Sequence, residues 1–205
     1  MRNRINESFK RTFSEPAAYS IWANSYDGDL ASLNYQAPSI LAGLANDHGD
    51  FATAMDLGCG TGLVVEAFRR CSQSSMVFDG WDQSPEMLEI ADRKHCYRQL
   101  ICGSLSSDLI PEMRYDLVTA CGLFASTDDR DSTGDPDASY LGFVFDLLAP
   151  MGTFIFSLSE RVWLMEHRRY EEAFYQFPWS LLVHDERAYH DLIPKGHYFV
   201  LKRDE

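Results

Sequence analysis

Ala54-Met55-Asp56-Leu57-Gly58-Cys59-Gly60-Thr61-Gly62 decides how the rest of this chain is read. An apolar strand runs into an acid and then three glycines at alternate positions, after which a helical pattern begins at Leu63. Residues without a side chain let backbone N–H groups come close to a nucleotide-like ligand, and the start of the following helix favours electron-rich groups. Glycines at 58, 60 and 62 depart from the Gly-x-Gly-x-x-Gly dinucleotide fingerprint, which needs glycine at 63, where Leu63 stands. A purely structural turn also collects glycine, so the neighbouring segments carry weight. Residues 76–82 read as a second strand, and Asp82 lies 20 residues beyond Gly62, where this arrangement places an acid for ribose hydroxyls. Alone, Asp82 suits an ordinary surface turn; beside the glycine turn, the ribose role is favoured. Gln83-Ser84-Pro85-Glu86-Met87-Leu88 then opens a helix, with Ser84 as N-cap, Pro85 at the first helical position and Met87 on the apolar face.

Further strands alternate with helices. Residues 98–102 and 115–121 predict a third and fourth strand, both too apolar for water-exposed edges. A helix is expected over 138–148, stopping at Pro150 and Gly152, and a fifth strand over 153–158. The tail reads as a charged helix over 160–177 and two antiparallel strands, 179–183 and 197–202. This order requires an α/β fold with a doubly wound, mostly parallel sheet. Residues 1–205 are expected to form a single domain, with 50–205 as the sheet core and 1–44 as an N-terminal helical lid.

Size and charge suit one enzyme domain. The 205 residues, 45% hydrophobic and 24% charged, can bury a substantial core, and no Pro-, Gly- or Ser-rich linker divides them. No apolar run approaches the roughly 18 residues of a membrane helix, and the first residues lack a signal-peptide apolar segment, so the expected compartment is the cytoplasm, without membrane association. The five cysteines form no Cys-x-x-Cys pair, which points to reduced packing residues, with no metal site expected. A net charge of −13 argues against a nucleic-acid partner, whose phosphates bind through Lys and Arg.

The segments 56–62, 80–88, 115–118 and 147–154 together resemble class I S-adenosylmethionine-dependent methyltransferases, and Tyr19 to Asp27 with Asn34 to Pro38 look most like the small Williams-Beuren-region methyltransferase-like branch. The resemblance implies a seven-stranded Rossmann-like sheet with an antiparallel last strand, S-adenosylmethionine as cofactor and S-adenosylhomocysteine as product. It also implies site residues. Backbone at Gly58, Cys59, Gly60 and Gly62 would line the methionine and ribose portions, and Asp56 would orient this loop and accept from the ammonium. Asp82 would hold the ribose hydroxyls, Gln83 and Met87 would flank the adenine, and Ser104 or Leu105 would border its other face. Cys121 and Gly122 would lie near the methionine group. The sequence departs from the family at Gly103-Ser104-Leu105, where an acidic residue often sits, and at Pro150-Met151-Gly152, where Pro-Gly-Gly is common.

Tyr19, Trp22, Ala23 and Tyr26 recur at helical spacing, which suits packing or a lid; Tyr26 is expected to touch the cofactor, since an aromatic face attracts a sulfonium cation. Methyl transfer asks chiefly for alignment, and none of the six histidines has a context that marks it as a base, so the catalytic residue is left unassigned. The acceptor is read as a small molecule methylated on O, N or C, by a monomer or homodimer; the alternative is a catalytically silent S-adenosylmethionine sensor or partner-binding module. Residues 126–137, with five aspartates and one arginine, read as a solvated loop or as a negative rim for a cationic acceptor.

Overall fold

The computed structural model of the protein describes residues 17–71, 75–105, 112–124 and 137–205. Its strands are β1 (Thr53–Leu57), β2 (Val77–Asp82), β3 (Gln99–Cys102), β4 (Tyr115–Cys121), β5 (Leu148–Ser159), β6 (Trp179–His190) and β7 (Ile193–Arg203). Its helices are α1 (Ala17–Ser32), α2 (Ala37–His48), α3 (Leu63–Cys71), α4 (Pro85–Arg93), α5 (Leu141–Leu147) and α6 (Glu160–Phe174). The strands form one 7-stranded sheet in the order β3-β2-β1-β4-β5-β7-β6. Neighbours from β3 to β5 are parallel, and β7 runs antiparallel to both β5 and β6. The expected α/β sheet, mostly parallel with an antiparallel final strand, is the one observed. The chain leaves β1 toward β2 and β3, then crosses to the other side at β4, and such a reversal opens a crevice at the carboxyl ends of the strands.

Apolar patterning places each layer. In α3, Val64, Val65, Ala67 and Phe68 are buried while Arg69 and Arg70 sit in the last turn, where cations suit the helix dipole. Ser84 caps α4, its Oγ accepting from the Met87 N–H at 3.3 Å, with proline at the start of the helix. One apolar cluster joins Leu57, Trp81, Phe154, Phe156 and Phe199 to α5 and α6. The other joins Leu41, Leu44, Val64, Phe68, Phe78 and Val200 on the opposite face. Helix α2 thus belongs to the cover of the sheet, burying Leu41, Ala42, Leu44 and Ala45. A buried acid lies on the face of the first cluster: Asp79 in β2 takes the Arg98 guanidinium through two N–H groups and the hydroxyl of Tyr115, a member of that cluster, at 2.8 Å.

The tail departs most from its sequence reading. Strand β6 extends to His190 and β7 begins at Ile193, giving a hairpin much longer than the two short strands expected. Ser180, His184, Glu186 and Arg187 interrupt the apolar signal because β6 is an edge strand with a solvent-facing side. Helix α6 stops at Phe174, whose carbonyl accepts from the Trp179 indole N–H at 2.9 Å. The helix expected over 138–148 divides into a 3₁₀ turn at Ala138–Tyr140, capped by Asp137, and α5. Strand β5 begins five residues early, at Leu148 in place of Thr153, and Met151 in the expected turn takes φ 62 within it. Among the described residues no helix is long and apolar enough to cross a membrane.

Candidate active site

The glycine turn after β1 sits at the switch point and is tied to its surroundings by named bonds. Gly58 and Gly60 take φ 62 and 52, a left-handed backbone that favours glycine. A Cβ on Gly58 would lie 2.6 Å from Leu123 Cδ1, whereas a Cβ on Gly60 would meet nothing within 4 Å. The first glycine is therefore fixed by packing, and the second borders open space. The Cys59 N–H donates to the Trp81 carbonyl at 3.1 Å, joining the turn to the end of β2. Asp82 completes this bridge: its Oδ2 accepts from the Gly60 N–H and its Oδ1 from the Ser84 N–H, both at 2.8 Å. Burial raises the Asp82 pKa, and the N–H groups of Ser84, Gly60 and Gln83 pull it back.

Asp56 stands behind the turn. It is fully buried, its Oδ2 accepting from the Tyr97 hydroxyl and its Oδ1 from the Thr119 hydroxyl, both at 2.8 Å. Burial pushes its carboxyl up to about 7, against the pull of those two bonds, and the Asp82 charge adds to the rise. Its place in the structure is that of a brace between β1, β4 and the segment before β3.

One crevice collects most of the expected residues. Gly58, Gly60, Asp82, Gln83, Met87, Leu105, Cys121 and Tyr26 line it; Asp56, Cys59, Gly62 and Ser104 do not. Gly62 instead faces Tyr97, and Cys59 is packed beside Gly80. Trp22 and Tyr26 of α1 meet edge to face at 4.6 Å above the turn, and Trp22 donates to Asp29 at 2.8 Å. Helix α1 is fastened at both ends: Ser20 Oγ lies 3.4 Å from Ser84 Oγ, and Asp27 joins the Thr61 hydroxyl at 2.5 Å and Lys94 Nζ at 2.7 Å. Lys94 also reaches Glu66 at 3.0 Å.

The far half of the crevice has residues that sequence reasoning missed. Arg161 and Val162 come from the start of α6, and Tyr189, His190 and Ile193 from the β6–β7 hairpin. Because β7 pairs antiparallel with β5, Ser159 opposite Gly196, that hairpin turns at the carboxyl edge of the sheet. No spacing in the sequence marks these positions; only the pairing does. Of the acidic segment 126–137, residues 126–136 lie outside the described residues.

A sequence-family model described as a methyltransferase domain matches residues 54–134. That segment is similar to a methyltransferase domain. The matched stretch runs from β1 through the glycine turn and Asp82 to β4, so it contains the turn and the acid that the crevice brings together. Methyltransferase-like protein 27 of Homo sapiens is 34% identical over 110 residues, which span 51% of this chain and 44% of that protein. The chain thus matches less than half the length of that relative. Among solved structures, a TehB-like SAM-dependent methyltransferase from Corynebacterium glutamicum superposes with a TM-score of 0.63 at 20% identity, covering 93% of this chain and 100% of the other. A magnesium protoporphyrin IX methyltransferase from Synechocystis, with bound SAM, gives 0.61 at 13% identity, covering 87% and 83%. At such identities these likenesses establish the domain's fold.

Proposed function

We propose that this domain transfers a methyl group from S-adenosylmethionine to a small-molecule acceptor held in the far half of the crevice. The observation that carries the reading is the meeting of Gly58, Gly60, Asp82 and Met87 in one crevice under α1, within the matched segment. The residues suit the cofactor. The open space above Gly60 is a cradle that a side chain would fill. Asp82 retains acceptor capacity for the two ribose hydroxyls, Met87, Gln83 and Leu105 offer an adenine slot, and the Gly58 backbone faces the methionine end. When bound, S-adenosylmethionine supplies an activated methyl on a sulfonium. The chain's task is then to orient, to exclude water and to place aromatic faces near a cation.

A small acceptor fits the enclosure by α1, the start of α6 and the β6–β7 hairpin, and the net charge of −13 disfavours a polyanion. The test incubates the full chain with S-[methyl-³H]adenosylmethionine and a cell extract of small molecules. Label is expected in small molecules, and Asp82→Ala is expected to weaken S-adenosylhomocysteine binding at least tenfold by calorimetry, since it removes charge-assisted bonds worth about 1.5–3 kcal/mol each. Unchanged affinity in that variant would place the ribose elsewhere, and label only in macromolecules would overturn the small acceptor.

A further inference from the structure

Behind the far wall of the crevice, α6 and the β6–β7 hairpin meet over two bonded imidazoles. His184 of β6 and His197 of β7 hold Nε2 and Nδ1 3.1 Å apart. The indole of Trp163 in α6 lies against both, stacked on His197 at a centroid distance of 5.1 Å and edge to face with His184 at 4.7 Å, while His184 also stacks on Phe199 at 4.4 Å. His197 is only 3% exposed, so it exchanges its bond for water poorly. The immediate neighbours of this cluster belong to the crevice. Gly196 pairs with the lining residue Ser159 and makes room for the ring of Tyr189, which a Cβ there would meet at 2.5 Å, and Trp163 directly follows Arg161 and Val162. A hydrogen bond between two imidazole nitrogens needs one N–H and one bare nitrogen, whichever ring is the donor. The intact pair therefore carries at most one positive charge, because a second proton would set two N–H groups and two like charges against each other.

We propose that the His184–His197 pair is a pH-sensitive catch, holding the start of α6 and the final hairpin together as the far wall of the crevice and releasing them when a second proton arrives. The charges around the pair come from all three elements. Glu160 and Glu171 of α6 and Asp185 and Glu186 of β6 favour protonation, Glu186 standing across from His197 in the strand pairing. Lys195 of β7 opposes it at His197 and is itself bonded to Glu186 at 3.2 Å and near Glu160 at 3.9 Å, while Arg187 takes Asp185 at 2.6 Å. His167 of α6 lies against Trp163 at 5.6 Å. Burial outweighs the carboxylates: it lowers both imidazoles below the ordinary 6.5, and the neighbouring His184 lowers His197 further. Between those lowered values and 6.5 the unfolded chain binds more protons than the native one, so the native state loses stability as pH falls through that window. At neutral pH the bond is made and Trp163 is packed on it. On acidification the rings part, and Ser159, Val162 and Tyr189 lose the support behind them.

NMR titration of the histidine side chains and backbone amides in the full chain, without ligand, tests the catch independently of any methyl transfer. His184 and His197 are expected to titrate as a coupled pair in two steps, the second below 6.5, with nitrogen shifts at neutral pH that show one N–H and one bare nitrogen in the bond. The amides of residues 159–163 and 189–197 are expected to shift with the midpoint of that second step. His184→Gln, at an exposed position, should abolish the second step, let His197 titrate as a single group, and leave S-adenosylhomocysteine affinity at neutral pH unchanged. The drop in Tm from pH 7 to 5 should be larger in the wild type than in this variant, a difference from which the Asp56 contribution, common to both, cancels. Two rings protonating independently near 6.5, a second step without amide shifts in those segments, or the same pH profile in His184→Gln would overturn the inference. If the variant does not fold, the wild-type titration decides by itself.

Discussion

At Gly60 the backbone takes φ 52 and a Cβ would meet no protein atom within 4 Å, so an added methyl group would project into the crevice. Gly60→Ala is expected to cost about 1–2 kcal/mol of stability for the left-handed backbone and to leave the fold intact. It should weaken S-adenosylhomocysteine binding at least tenfold; a folded variant with unchanged affinity, checked by thermal melting and calorimetry, would count against the cradle. Asp56, two strands' width into the core, makes a pH prediction. Its folded pKa of about 7 lies above the ordinary 3.8, so the native state binds more protons than the unfolded chain between those values. The stability it contributes is present at low pH and declines as pH rises to about 7. In Asp56→Asn this term disappears, and the difference in Tm between variant and wild type should move in the variant's favour from pH 5 to 8. Parallel profiles would show that the carboxyl is not the titrating group. The positions of Gly58, Gly60 and Asp82 were legible because a single strand-turn-helix unit carries them, but the burial of Asp56 was not. Its partners Tyr97 and Thr119 are 41 and 63 residues away, and no local pattern announces them.

The element with most bearing on access is α1. It is fastened by polar contacts at Ser20 and Asp27 beside the buried Trp22 and Leu30, whereas α2 is sealed into the core, so of these two helices α1 is the one placed to open the crevice. Asp27 and Lys94 are partly exposed, with side-chain accessibilities of 38% and 18%, so their pairing contributes modestly to global stability. It can still govern whether the helix stays down. Asp27→Ala is expected to speed chymotrypsin cleavage between Tyr19 and Tyr26 severalfold while shifting the melting temperature little, and saturating S-adenosylhomocysteine should restore protection. Unchanged cleavage would mean that burial of Trp22 and Leu30 alone holds the helix. The helical face of Tyr19, Trp22 and Tyr26 was readable from its spacing. The β6–β7 hairpin was half hidden because an edge strand with one wet face mixes charged residues into its pattern, and with it went Tyr189 and His190.

Taken as a whole, the molecule builds its crevice in two ways. The side bearing the glycine turn, Asp82 and Met87 is assembled from consecutive strand-helix units, and periodicity with loop chemistry suffices to find it. The opposite side gathers single residues from the α1–α2 connection, the end of β4, the start of α6 and the final hairpin. Only the sheet order, with β7 inserted antiparallel between β5 and β6, brings those together. The proposed acceptor would lie on that second side, whose residues share no local pattern, so the sequence points to a cofactor more readily than to a substrate. Cofactor binding falls to the first side. Its most direct test is calorimetric titration of the unmodified full chain with S-adenosylhomocysteine and, separately, with NAD: one equivalent of S-adenosylhomocysteine bound and no measurable NAD binding is the predicted result, and absence of S-adenosylhomocysteine binding by the folded protein, or tighter binding of NAD, would contradict it.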